Sequence, residues 1–274
     1  MNLKNLIVNI YKTLFFFDLA IIAAYVFPKI KTKNAALLNL WSEGTFLAVM
    51  IVFTAFFYLA VERKRLKIFN KRNILSHYGT GLISVILPLA VTVCVLFLLK
   101  CLKFSGTNKP SHFFLWLAAI FCSAAATELL LRGYLFRLYR KYYSFPVTAA
   151  VITVLFISMN IYIFSDGFIY AANLLVFNLL MCLLAEYTRS LTAPLTAHFF
   201  YNAVSTLVLG SFAPAEGYPC LLKTVFSGNN ALCGGEMKLE GSAVLLVLNI
   251  AVCAFLWRLI FKRRNRGVKR VNIR

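Results

Sequence analysis

Acidic side chains are scarce in this sequence: nine Asp and Glu stand against 29 Lys and Arg, and charged residues make up only 14% of the 274. Soluble domains carry roughly 25% charged residues. With 61% hydrophobic residues and a mean hydropathy of +0.79, the chain has too little polar surface to coat a water-soluble globule. A bilayer as solvent removes that conflict. The polar gaps between apolar runs are mostly short, so no separate soluble domain is expected, and residues 1–274 read as a single membrane domain. No internal repeat and no low-complexity segment is visible. No CxxC and no Cys/His cluster occurs, so neither a metal site nor a cofactor is expected. Lys4 and Lys12 precede the first apolar run, but no small-residue cleavage site follows it, and a cleavable signal is not expected.

What is present is a series of eight apolar runs. They span about Thr13 to Phe27 (ending at Pro28), Gly44 to Val61, Tyr78 to Leu99, His112 to Tyr139, Pro146 to Phe164, Gly167 to Glu186, Leu191 to Phe212 and Ser242 to Phe261. Each is near the ~20 residues that cross a bilayer as a helix. The expected fold is an all-α, polytopic membrane helix bundle of about eight transmembrane helices. Pro88 falls inside the third run, where a kink is expected. Pro146 stands at a favoured first-turn position of the fifth.

The basic excess, +20 in net charge, raises nucleic acid as a partner. Its distribution argues against that. Lys and Arg flank the apolar runs, where they set orientation and meet anionic lipid headgroups. Membrane lipids are the expected partners. With both termini in the cytoplasm, the inner segments hold the Arg63–Arg72 cluster, Arg137, Arg140, Lys141, Arg189 and a basic tail over 262–274. The outer segments hold fewer, and a Lys-rich first loop among them. This orientation places a chain of the cell membrane with the long loop 213–241 outside. That loop carries Cys220 and Cys233, which an oxidising compartment would allow to pair. Cys94, Cys122, Cys182 and Cys253 fall in apolar runs and read as small core residues.

Ionisable groups inside a span are costly and normally face a protein interior with a partner. Glu128 and Arg132 lie four apart in the fourth run, on one helical face, where they can pair. A salt bridge that neutralises a buried Arg would explain them without any chemistry. His198 and Asn202 repeat the spacing in the seventh run, and both can donate to an oxygen. Asn160 falls near the middle of the fifth run and can serve as interhelical polar glue. Asp18 lies in the first.

The order of these elements resembles the CPBP family, which contains the type II CAAX prenyl proteases and bacteriocin-processing or immunity membrane proteins. The family's Glu-Glu-x-x-x-Arg motif corresponds to Thr127-Glu128-Leu129-Leu130-Leu131-Arg132, followed by Gly133. Its Phe-x-x-x-His corresponds to Phe156 through Asn160, and its His-x-x-x-Asn to His198 through Asn202. Ser190-Leu191-Thr192-Ala193-Pro194 also looks like the family. The likeness covers a motif core of about 112–212 and implies an eight-helix intramembrane glutamic-type peptidase that needs no metal. In the family, the first Glu and the second-motif His activate water, and the His/Asn pair stabilises the oxyanion. Here the water-activating positions are Thr127 and Asn160, neither of which is a base near neutral pH. General-base catalysis contributes about 10²–10⁴-fold. The expectation is therefore a peptidase-type site, catalytic residues Glu128, His198 and Asn202 with Arg132, Asn160 and Thr127 as binding residues, that is catalytically impaired and acts in processing or immunity through a bound peptide or protein. One alternative is an active endopeptidase using Glu128, His198 and Asn202. Another is a partner-binding protein or a transporter whose proton path would use buried Asp18, Glu128 and Arg132.

Overall fold

A computed structural model describes residues 3–26, 30–212 and 217–271. The elements are α1 Leu3–Val26, α2 Ala35–Phe56, α3 Ile74–Leu98, β1 Leu102–Thr107, α4 Phe113–Glu128, α5 Phe136–Arg140, α6 Phe145–Met159, α7 Phe168–Thr188, α8 Thr192–Ala203, β2 Leu222–Phe226, α9 Asn230–Cys233 and α10 Ala243–Val271. π-helical stretches prolong α2 (Phe57–Val61) and α8 (Val204–Val208), and another, Leu129–Leu135, joins α4 to α5 without a break.

The helical expectation holds, with a two-stranded sheet as its exception. Long apolar helices account for six of the eight expected runs. Among the described residues, six helical stretches are long and apolar enough to cross a bilayer: Asn5–Ile22, Ala35–Val61, Ile74–Leu98, Phe113–Arg140, Phe168–Thr188 and Gly235–Arg263. The fifth apolar run forms only the 15-residue helix α6, and the seventh only α8 with its π turn. In the fifth run a 3-10 helix, Ile161–Phe164, follows α6, and in the seventh the helix ends at Val208, short of Phe212. In the first run, α1 begins at Leu3, well before Thr13. α3 runs unbroken through Pro88. Pro88 has no N–H, so the Ser84 carbonyl one turn earlier loses its helical donor. Pro28, residues 213–216 of the long loop and residues 272–274 of the tail lie outside the described residues.

The first compact unit comprises Met1–Ile68, Phe104–Met159 and His198–Thr224. Within it α2 and α4 run side by side in one direction. Asn34 caps α2 by accepting from the backbone N–H groups of Ala36 and Leu37, and Ala36 packs with Trp116 and Ile120 near the start of α4. Towards their other ends, Tyr58 donates to the Gly133 carbonyl at 2.9 Å. Phe16 of α1, Phe57 and Tyr134 form an aromatic cluster there, with ring centroids 4.6 to 5.0 Å apart. Lys12 pairs with Glu62. From His198 onward, α8 runs back along α4: Phe199 meets Phe121 at 5.5 Å between centroids, and Ala203 and Leu207 join the Trp116 cluster. A groove of about 290 Å³ lined by Ile10, Leu14, Val151, Val154 and neighbouring residues lies between α1 and α6. Its lining includes none of the candidate site residues.

The long loop 213–241 is structured over part of its length. β1 pairs with β2; the Ser105 hydroxyl donates to the Lys223 carbonyl at 3.1 Å, and just beyond the strands the Asn108 N–H donates to the Leu221 carbonyl at 2.7 Å. Pairing satisfies backbone groups that a loose loop would leave to solvent. Cys220 and Cys233 are both free cysteines.

The second unit comprises Phe69–Lys103, Asn160–Ala197 and Val225–Arg274. Here α7 and α10 pack along each other. Asn173, 2% exposed, donates to the carbonyls of Glu240 (2.9 Å) and Ser242 (3.0 Å), fixing the start of α10. The basic tail is no separate appendage as far as Val271: it continues α10. Arg263 stacks over the Tyr187 ring at 3.9 Å and donates to its hydroxyl at 2.8 Å. Gly81 of α3 lies so close to α8 that a Cβ there would sit 2.2 Å from the Ala193 carbonyl oxygen.

Candidate functional site

Glu128 is the last α-helical residue of α4 and is wholly buried, at 0% exposure. The chain continues directly into the π-helical stretch that carries Arg132 and Gly133. Such insertions change the side-chain register of a helix and recur at functional sites. Arg132, 2% exposed, donates from Nη1 to Glu128 Oε1 at 3.2 Å. His198 Nδ1 lies 2.9 Å from the same oxygen. An ionised carboxylate only accepts, so against it the imidazole donates from Nδ1. Glu128 Oε2 has no hydrogen-bond partner among the described residues.

The expected pairing of Glu128 with Arg132 is present, and the fourth and seventh runs do converge: the imidazole of α8 is bonded to the carboxylate of α4. Asn202 stands one helical turn beyond His198 on α8, and like His198 it is part-buried. Thr127 precedes Glu128 and is also part-buried, but a one-residue step turns it about 100° around the helix. The His198 side chain keeps 16% of its surface exposed, so the centre is not sealed. It can hold an oxygen or an amide against an imidazole that a buried carboxylate orients.

Asn160 departs from expectation. α6 stops at Met159, and Asn160 is an exposed residue past its end, in the second unit, where its carbonyl accepts from the Ile163 N–H at 2.9 Å. It therefore lies past a helix end rather than within a helix. Ser158 donates to the Leu155 carbonyl at 2.8 Å, a back-bond of the kind that weakens helix continuation. Asp18 is exposed on α1 rather than buried, which removes it from any interior path with Glu128 and Arg132.

Glu43 was not anticipated. The second run was expected to begin at Gly44, which put Glu43 outside it. Capped by Asn34, α2 begins at Ala35, and Glu43 lies about two turns inside a spanning helix, hydrogen-bonded by the Ser123 side chain of α4. The signal that would have found it is Asn34, a favoured N-cap residue preceding an apolar run.

Residues 109–204 match the family model described as Type II CAAX prenyl endopeptidase Rce1-like. All three motifs fall inside the matched stretch, and the CPBP resemblance they carry is borne out over it. No curated protein and no solved structure matches the chain. The six apolar helices suit a multi-pass membrane protein, and the stretch 109–204 is similar to a family of intramembrane-type peptidases.

Proposed function

We propose that this chain is an intramembrane protein of the CAAX-protease type whose centre binds a peptide or lipidated tail but is impaired as a peptidase. Its role would be in peptide or bacteriocin-related processing or immunity, in the cell membrane, with eight membrane-crossing segments (α6 and α8 crossing as short helices) and both termini in the cytoplasm. One observation carries the reading: the single carboxylate of the centre, Glu128, already serves as counter-ion to Arg132 and acceptor for His198 through one oxygen, while position 127 holds threonine. A carboxylate so engaged is a weak base. His198 and Asn202 supply donors for a carbonyl oxygen, and donors alone do not generate a nucleophile.

A second reading has its own support. With Nδ1 bonded to Glu128, His198 presents Nε2 as a proton acceptor, and an imidazole oriented by a buried carboxylate is a competent general base. Asn202 would then be left to hold the oxyanion. The separating experiment incubates the purified protein in nanodiscs with a mixture of membrane peptides, prenylated and unprenylated, and follows products by mass spectrometry. The expected result is no more cleavage than from the Glu128→Ala, His198→Ala double mutant. Robust cleavage that vanishes in the double mutant would overturn the impaired reading in favour of the second.

A further inference from the structure

The groove between α1 and α6 is walled by apolar side chains except where Thr13 and Tyr139 line it. Both are buried, and their hydroxyls lie 3.0 Å apart. The Thr13 hydroxyl donates to the Asn9 carbonyl at 2.8 Å, so the Tyr139 hydroxyl donates to Thr13. The contacts run on from this pair to a basic segment. The Tyr139 ring lies 5.8 Å from the Tyr143 ring, and Arg140 donates from Nη1 to the Tyr143 carbonyl at 2.6 Å. Next to it, Lys141 Nζ sits 4.5 Å over the Tyr142 ring. Lys12, the neighbour of Thr13, pairs with Glu62. Two polar atoms along this path are buried with no hydrogen-bond partner among the described residues: Asn9 Nδ2, on a residue 2% exposed, and the Tyr143 hydroxyl. Polar groups left unmet at a membrane are costly, and an acceptor from outside the chain would relieve both.

From this polar end the groove continues over residues 150–155 of α6, roughly 7.5 Å along the helix. Its volume of about 290 Å³ is at the lower limit of ligand pockets, about 300–1,000 Å³. It suits a length of one hydrocarbon chain rather than a whole amphiphile. Bilayer tails are as apolar as the groove wall, so the wall alone gives little preference for one lipid over another. Selection must come from the polar end, where Arg140 and Lys141 favour an anion. We infer that this groove is a binding site for an anionic glycerophospholipid, with one acyl chain along Val151 and Val154 and the phosphate at Arg140 and Lys141. The ester carbonyls then supply acceptors for Asn9 Nδ2 and the Tyr143 hydroxyl. The site requires only that these helices lie in a bilayer, and it stands whether or not the Glu128 centre cleaves anything.

The full chain, purified in a neutral maltoside detergent, is titrated with phosphatidylglycerol and with phosphatidylcholine of the same acyl chains, and bound lipid is read by native mass spectrometry. Phosphatidylglycerol is expected to bind about tenfold more tightly, because its phosphate carries no ammonium to offset the attraction of the two cations. Val154→Trp fills the groove from an exposed position and leaves every cation in place; it is expected to abolish the preference. Leu14→Trp, on the opposite wall and also exposed, repeats the test where Val154→Trp loses helix content by circular dichroism. Asn9→Leu keeps the charges and is expected to weaken phosphatidylglycerol binding about fivefold, the worth of one hydrogen bond. Equal binding of the two lipids by the parent chain overturns the inference. So does a preference that survives in a folded groove-filling variant, which would leave only diffuse attraction to the basic segment, or displacement of the lipid by glycerol 3-phosphate, which has no chain to seat.

Discussion

Replacing Arg132 with methionine tests whether the Glu128 centre is also a structural keystone. The substitution removes the guanidinium and leaves a carboxylate of 0% exposure with the His198 imidazole hydrogen-bonded to it. At the observed 3.2 Å separation, an effective dielectric constant of about 20 puts the lost attraction at about 5 kcal/mol. Removing one partner of a buried ion pair costs about 3–5 kcal/mol by mutational experience, so the two routes agree. Glu128→Gln combined with Arg132→Met removes both charges and is expected to recover at least half of the loss, because no uncompensated ion remains. Unfolding of the parent chain, Glu128→Gln, Arg132→Met and the double variant in mixed micelles, as a function of the mole fraction of denaturing detergent and followed by tryptophan emission, gives the four free energies of the cycle. A cost below about 1 kcal/mol for Arg132→Met, or a double variant no more stable than that single one, would refute the buried-pair reasoning.

Gly81→Ala is expected to lower thermal stability by the ~1–3 kcal/mol typical of overpacking, because the new methyl would meet the Ala193 carbonyl at 2.2 Å, whereas Gly79→Ala, with nothing within 4 Å, should be neutral or stabilising; melting of the two variants in parallel checks this. Tyr58→Phe removes the hydroxyl bonded to the Gly133 carbonyl and should cost about 1 kcal/mol in the same unfolding assay without loss of helix content. Cys220, a part-buried free thiol, should take up a maleimide without prior reduction; labelling that appears only after reductant would refute its free state.

The spanning helices were legible because lipid demands long apolar runs and little else produces them. Their ends were legible only where a local signal exists. Asn34 marks the start of α2, and overlooking it misplaced Glu43. Nothing in the Ile, Val and Phe content of 146–164 announces that α6 stops at Met159, since hydropathy is blind to whether the backbone stays helical. The meeting of His198 with Glu128 was readable as two same-face pairs, Glu128 with Arg132 and His198 with Asn202, that required partners inside lipid. The π-helical stretch after Glu128 was not readable. An inserted residue leaves no periodic mark in a run as uniformly apolar as Leu129–Leu131, yet it sets where Arg132 and Gly133 point. The pairing of β1 with β2 was missed because six and five residues between polar turns look like loop when helical spans dominate the chain.

Glu128 is asked to do two things that compete, and Glu128→Gln sets them apart. Glutamine keeps the size of the side chain and an oxygen that can accept from His198 Nδ1, but removes the charge that balances Arg132. If the centre only binds, ligand retention in this variant should fall in proportion to the folded fraction, since His198 and Asn202 still present their donors. If His198 is the base of a working peptidase, the imidazolium formed as it takes the proton loses its stabilising anion, and turnover should fall well beyond the folded fraction, by about the 10²–10⁴-fold that general-base catalysis contributes. Thr127 sharpens the contrast. In a chain with a carboxylate at 127, Glu128 would be free to act as a counter-ion while its neighbour handled the proton. Here one carboxylate serves Arg132 and His198 through the same oxygen, and each step towards catalysis draws on the charge that keeps a buried guanidinium paired.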